Sequence, residues 1–165
     1  MNIINASTVK KATGHDLTIG AYDSLGTADG LYEGRVLTFL DNRKFAETIS
    51  RNKNIKGSFV KEEDAHLLSP DIEKIIVDDP RWFFFSVVSY LGATRVREKS
   101  NISPKATIHP SAVIASSGVI IEDGVVIDPG VVVMPDVTLC AGVIVRAGAI
   151  IGSDGYEHKR TSRGV

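Results

Sequence analysis

From residue 102 to residue 151 the aliphatic positions recur every six residues. Ile102, Ile108, Ile114, Ile121, Ile127, Val133, Leu139, Val145 and Ile151 each lead one unit, and the lead is Ile, Val or Leu every time. One unit, opening at Ile114, has seven residues; the others keep step. A six-residue period fits neither an α-helix nor a two-sided strand. It fits short strands separated by corners, and corner formers sit where such a path needs them: Pro110, Gly124, Gly130, Gly142 and Gly148. Stacked coils of this kind pair each strand with the coil above and below and bury the aliphatic ladder as a continuous core. The pattern therefore predicts a parallel β-helix, with Ile108, Ile114, Ile121, Ile127, Val133, Leu139, Val145 and Ile151 pointing inward. A Val/Ile-rich sandwich is the competing arrangement, and it gives no reason for the constant period.

The earlier part of the chain alternates strand-like and helix-like signals instead. Arg35–Phe39, Gly57–Val60 and Lys74–Val77 read as strands. Between the first two, residues 43–51 read as a helix, with Phe45 and Ile49 on one face and Asp41 or Asn42 as its cap. Asp79-Pro80 is a stronger helix start, a capping carboxylate followed by proline at the first helical position. That helix is expected to run through Trp82, Phe83, Phe84, Phe85, Val87, Val88 and Leu91 and to stop at Gly92. Residues 1–34, punctuated by glycine, read only as short strands and turns. The expected fold is a small α/β domain over 1–101, followed by the β-helix over 102–165.

Charge sharpens this division. Of 39 charged side chains, 28 fall within residues 1–101, and only Lys105, Glu122, Asp123, Asp128, Asp136 and Arg146 fall within 102–151. With 19 basic against 20 acidic residues, the chain has no basic field for nucleic acid or an anionic membrane. No apolar run approaches the ~20 residues of a membrane span. The first residues lack the pattern of a signal peptide. The one cysteine, Cys140, excludes an internal disulfide and a multi-cysteine zinc site, and suits a cytoplasmic setting.

The hexads from Ile108-His109-Pro110-Ser111-Ala112-Val113 onward resemble those of the hexapeptide-repeat acyltransferases, whose fold is a left-handed β-helix and whose assembly is usually a homotrimer. Leu37-Thr38-Phe39-Leu40-Asp41-Asn42-Arg43-Lys44-Phe45, Gly57-Ser58-Phe59-Val60 and Asp79-Pro80 with its aromatic helix narrow the resemblance to the UDP-3-O-acylglucosamine N-acyltransferases. The segment Gly152-Ser153-Asp154-Gly155-Tyr156 is similar to that family's Gly-Ala-Asp-Gly-aromatic loop. The resemblance implies transfer of a 3-hydroxyacyl chain from acyl carrier protein to a UDP-glucosamine derivative, in lipid A synthesis, with no cofactor and no metal. It implies a uracil ring held by Phe39 and Phe45 and read by Asn42, with Asp154, Gly155 and Tyr156 also at the substrate. Without the resemblance, Phe39 reads as an inward strand residue, Asn42 as a helix cap and Phe45 as the core face of a helix.

Acyl transfer to an amine needs a base, which the resemblance places in an Ile-Ala-His-Asn-Val hexad. No such hexad occurs in this sequence. His109 reads as a corner, and His15 and His66 as solvated, leaving His158 as the catalytic candidate. The stop inside the Asp-Gly-Tyr loop suggests the N-terminal portion of a longer enzyme, with the β-helix incomplete. Two alternatives remain open: an acetyl-CoA-dependent sugar-nucleotide acetyltransferase of surface polysaccharide synthesis, and a non-catalytic uridine-binding or assembly module.

Overall fold

The computed structural model describes residues 3–155 and 161–163. They form two compact units, one running to Arg95 and also holding Thr161, Ser162 and Arg163, the other beginning at Val96.

The first unit opens with a helix that the sequence pattern did not announce. α1 (Ala6–Thr13) buries only Val9, so it has no apolar stripe. Its ends are well marked, however. Asn5 Oδ1 accepts from the Thr8 N–H at 3.2 Å, and the Gly14 N–H donates to the Lys10 carbonyl at 2.8 Å. Four parallel strands follow, β1 (Ser24–Leu25), β2 (Val36–Leu40), β3 (Ile55–Val60) and β4 (Glu73–Ile76), in the sheet order β1-β2-β3-β4. Parallel neighbours need crossovers. A 3₁₀ turn at Arg43–Phe45 with α2 (Ala46–Arg51) joins β2 to β3, and a 3₁₀ segment at Glu62–Leu67 joins β3 to β4. The helix read over 43–51 is thus broken, and Phe45, at the joint, is 42% exposed while Ile49 is fully buried.

α3 (Pro80–Thr94) starts where Asp79-Pro80 predicts it, with Asp79 Oδ1 accepting from the Trp82 N–H at 2.9 Å. It runs past Gly92 to Thr94. Glycine in a helix interior costs about 1 kcal/mol but does not end the helix by itself. Phe83, Phe84 and Val87 of α3 bury against Leu37, Phe59 and Ile75 on one side of the sheet. Val36, Leu40, Ile49, Ile55 and Val60 form the core on the other. Strand alternation explains the split along β2.

Tyr22 crosses the first of these cores. Its hydroxyl donates to the Glu73 carboxylate, which also accepts from the Gly20 N–H at 3.0 Å. Burial first, then the hydrogen bond to Glu73 and that carboxylate's charge, push the Tyr22 hydroxyl well above its ordinary pKa, against a smaller opposing pull from Arg35. Gly57 makes the crossing possible, since a Cβ there would overlap the Tyr22 ring.

In the second unit nine two-residue strands, β5 to β13, lie at Asn101–Ile102, Thr107–Ile108, Val113–Ile114, Ile120–Ile121, Val126–Ile127, Val132–Val133, Thr138–Leu139, Ile144–Val145 and Ile150–Ile151. They stack as three parallel sheets, β5-β8-β11, β6-β9-β12 and β7-β10-β13. Partners across the seven-residue unit are 19 residues apart (Asn101 beside Ile120, Val113 beside Val132), and later partners 18 apart (Ile120 beside Thr138, Val132 beside Ile150). The extra residue is spent at the corner before Ile120. There Ser116 O accepts from Ser100 N at 3.0 Å, and Gly118 N donates to Glu98 O at 2.8 Å, so the widened corner seats the incoming chain.

Ile121, Ile127, Val133, Leu139 and Val145 are buried; Ile108, Ile114 and Ile151 are partly buried and packed on the same core. Val119, Val125, Val131 and Val137 are buried with them, a second inward position that follows from strand alternation two residues earlier. At the corners the backbone turns left-handed, with φ 74° at Gly148 and 65° at Asp136. Asp136 is anchored by Arg97, whose Nη2 lies 2.8 Å from its carboxylate. Among the described residues no helix is long and apolar enough to cross a membrane.

Candidate functional site

β1 covers only Val36 and Leu37 of β2. The Gly26 N–H donates to the Leu37 carbonyl at 3.1 Å, and the chain then leaves the sheet through Thr27, Ala28 and Asp29. Between that segment and the uncovered edge of β2 lies a cleft of about 300 Å³, at the small end of ordinary ligand pockets. The segment is fixed from behind. Its Thr27 N–H donates to the Tyr32 hydroxyl at 2.6 Å, and Asn52 Nδ2 donates to the Gly30 and Ala28 carbonyls at 3.0 and 3.3 Å.

Phe39, Phe45 and Phe85 give the cleft its aromatic lining. Phe39 is supported by Phe84, ring centroids 4.7 Å apart, and by the edge of Phe85 at 5.8 Å. Phe45 carries the Lys44 ammonium 4.7 Å from its ring centre. Asp41 and Arg81 supply charge to the lining. Arg81 Nε donates to Asp41 Oδ2 at 2.5 Å, so the carboxylate at the end of β2 holds the guanidinium of α3's first turn in place. Thr38 completes the wall: it is fully buried, and its Oγ1 has no hydrogen-bond partner among the described residues.

Of the residues singled out from sequence, Phe39 and Phe45 thus share this cleft. Asn42 does not line it. Its Oδ1 accepts from the Lys44 N–H at 3.1 Å and caps the 3₁₀ turn. Asp154 and Gly155 lie exposed beyond β13 in the second unit, and Tyr156 and His158 fall outside the described residues. Thr38, Arg81, Phe85 and the Thr27–Asp29 segment were not foreseen. A hydroxyl inside the apolar run Val36-Leu37-Thr38-Phe39-Leu40 was the available signal, a polar residue where the pattern asks for an aliphatic one.

The remaining histidines are placed without chemistry. His109 turns its corner with Nδ1 2.8 Å from Ser111 Oγ. His15 is exposed, with its ring edge-on to Trp82 and Phe83 at 5.9 and 5.1 Å. His66 is exposed on the 3₁₀ segment. No group of three or more His, Cys, Asp or Glu among the described residues could hold a metal ion.

Asp79, two residues before Arg81 in the chain, carries a second set of bonds. Its Oδ2 accepts from the Ser162 N–H and hydroxyl at 2.6 and 2.5 Å, while the Arg163 guanidinium lies 3.9 Å over the Trp82 ring. Burial opposes ionisation of Asp79. The bonds from Ser162 and the Trp82 N–H, with the charge of Arg163, outweigh it, and its pKa falls below the usual value.

Residues 118–153 match the family model described as bacterial transferase hexapeptide (six repeats). No curated protein matches the chain. The matched stretch lies wholly inside the second unit and covers the strands that keep the 18-residue spacing. Together with three stacked parallel sheets, it indicates a left-handed β-helix.

Proposed function

We propose that this chain is the nucleotide-recognising portion of an acyltransferase that N-acylates a UDP-amino sugar from an acyl carrier protein thioester. The repeat match supports acyl or acetyl transfer in general. The observation that carries the finer reading is that Phe39 and Phe45 line one cleft, in a chain whose second unit has the transferase repeat. Aromatic faces suit a flat base. A guanidinium held by Asp41 gives the cleft a cation suited to a phosphate oxygen. Asn42 keeps its Oδ1 on the Lys44 N–H as a cap, and its Nδ2 is the end left to address the base in this reading. Asp154, Gly155 and Tyr156 stand in this reading as substrate-binding candidates carried by the resemblance, and His158 as the candidate base. The outward positions of β7, β10 and β13 (Val113, Val132 and Ile150) make an apolar ladder, with Val113 and Ile150 strongly exposed, that suits a homotrimer.

Calorimetric titration of UMP, with AMP alongside, tests the reading. UMP is expected to bind more tightly than AMP, and Phe39→Ala to weaken UMP by ~1–3 kcal/mol, as for loss of a base–aromatic stack. Equal affinity for the two nucleotides, or no effect of Phe39→Ala, overturns it.

A further inference from the structure

Along β2, backbone groups turn alternately to β1 and to β3. Arg35 and Leu37 direct their carbonyls to the β1 side, where they accept from the Asp23 and Gly26 N–H groups at 2.8 and 3.1 Å. In an extended strand, residues two apart turn their N–H and C=O the same way, so Phe39 follows Arg35 and Leu37. It meets no strand there, because pairing with β1 ends at Leu25 beside Leu37. The Gly26 N–H already bonds Leu37, so a bond from the Phe39 N–H to the Gly26 carbonyl would have carried the ladder one pair further, to Thr38. The ladder stops short of that pair. Among the described residues, then, neither the Phe39 N–H nor its carbonyl has a hydrogen-bond partner on this edge.

Backbone groups in a folded chain find partners in other backbone, in side chains, in water or in ligands. Another strand is a poor candidate at this edge. The segment Thr27–Asp29, fixed by Tyr32 and Asn52, bounds the cleft at about 300 Å³, which suits a small planar group. Phe39, Phe45 and Phe85 offer such a group aromatic surface.

We infer that the Phe39 backbone reads the base in this cleft: its carbonyl accepts from a ring N–H, and its N–H donates to the ring carbonyl alongside. The imide edge of uracil presents that pair. The inference rests on the nucleotide reading above and deepens it, because it puts edge recognition on β2, in the cleft, rather than on Asn42, which does not line it. Any ring with a donor beside an acceptor satisfies the pair. A methyl group on N3 removes the donor and blocks the carbonyl, so 3-methyluridine 5′-monophosphate is the discriminating probe.

The test titrates the full chain with UMP and with the 3-methyl analogue, and follows hydrogen exchange of the Phe39 amide by NMR. The analogue is expected to bind at least about tenfold more weakly, the loss of one hydrogen bond. Saturating UMP is expected to slow exchange of the Phe39 amide. An analogue that binds as tightly as UMP overturns the inference and leaves the nucleotide reading standing. A Phe39 amide whose exchange is the same with and without saturating UMP also overturns it, because the base edge is then read elsewhere. Protein that does not bind UMP overturns the nucleotide reading, and this inference with it.

Discussion

Both units are built on parallel strands, yet they recruit their neighbours differently. In the first, β2 and β3 meet through a broken helical crossover, and each core position has its own shape: a Tyr22 that must reach Glu73, a Gly57 that must stand aside, an edge that β1 leaves open. In the second, every strand meets the one a coil later, and the same two aliphatic positions recur. Residues 96–155 contain no Phe, Tyr or Trp at all. Repetition gives a uniform core with nothing set apart for recognition, whereas the irregular unit leaves a polar group and three aromatic rings around one cleft. That asymmetry also separates the probes. Trp82 fluorescence reports on the first unit, near-ultraviolet dichroism on the aromatic residues, all of which but Tyr156 lie in that unit, and far-ultraviolet signal on both.

The strongest challenge to the comparison is Ile127→Asp, which places a carboxylate in the aliphatic ladder at a cost of several kcal/mol. The repeat is expected to lose its far-ultraviolet β signal while the aromatic signals persist. Loss of both together would show that the units do not stand on separate cores. Next comes Gly57→Ala, which crowds the Tyr22 ring; overpacking of this kind costs about 1–3 kcal/mol, and the aromatic signals should melt earlier. Gly148→Ala is the counterpart in the repeat. Its Cβ meets nothing, so only the left-handed backbone resists, by about 1 kcal/mol, visible as a modest shift in the far-ultraviolet melt.

The smallest effect follows pH. Because the Asp79 pKa is lowered on folding, its contribution is present above the unfolded value near 4 and is lost as pH falls through the folded one. Melting of wild type and Asp79→Asn from pH 6 to pH 2 should converge only below about pH 4. A constant gap across that range would remove Asp79 from the acid response.

The same contrast explains what could be read in advance. The hexads were legible because one rule repeated nine times, and Asp79-Pro80 was legible because capping is local. α1 was missed because one buried valine makes no periodicity. The joint at Phe45 was misread as continuous helix because its exposure is set by a 3₁₀ turn that spacing does not reveal. Phe39 and Phe45 could be singled out only through a resemblance. Arg81 and the Thr27–Asp29 segment reach the cleft by tertiary placement, from positions about 40 and 10 residues away along the chain, which no local pattern encodes.

The widened corner at Ser116–Gly118 has a practical bearing on how this chain tolerates insertions and deletions. A prism that advances by 18 residues accepts or gives up a whole coil without disturbing which side chains face inward, so grafts into the later coils should be cut in that length. A single residue gained or lost inside a strand would swap its inner and outer faces. At the corner before Ile120 one additional residue is already absorbed, and it has been turned to use as the seat for Glu98 and Ser100. Trimming that corner to the regular length would tidy the repeat and unhook the strand that leads into it.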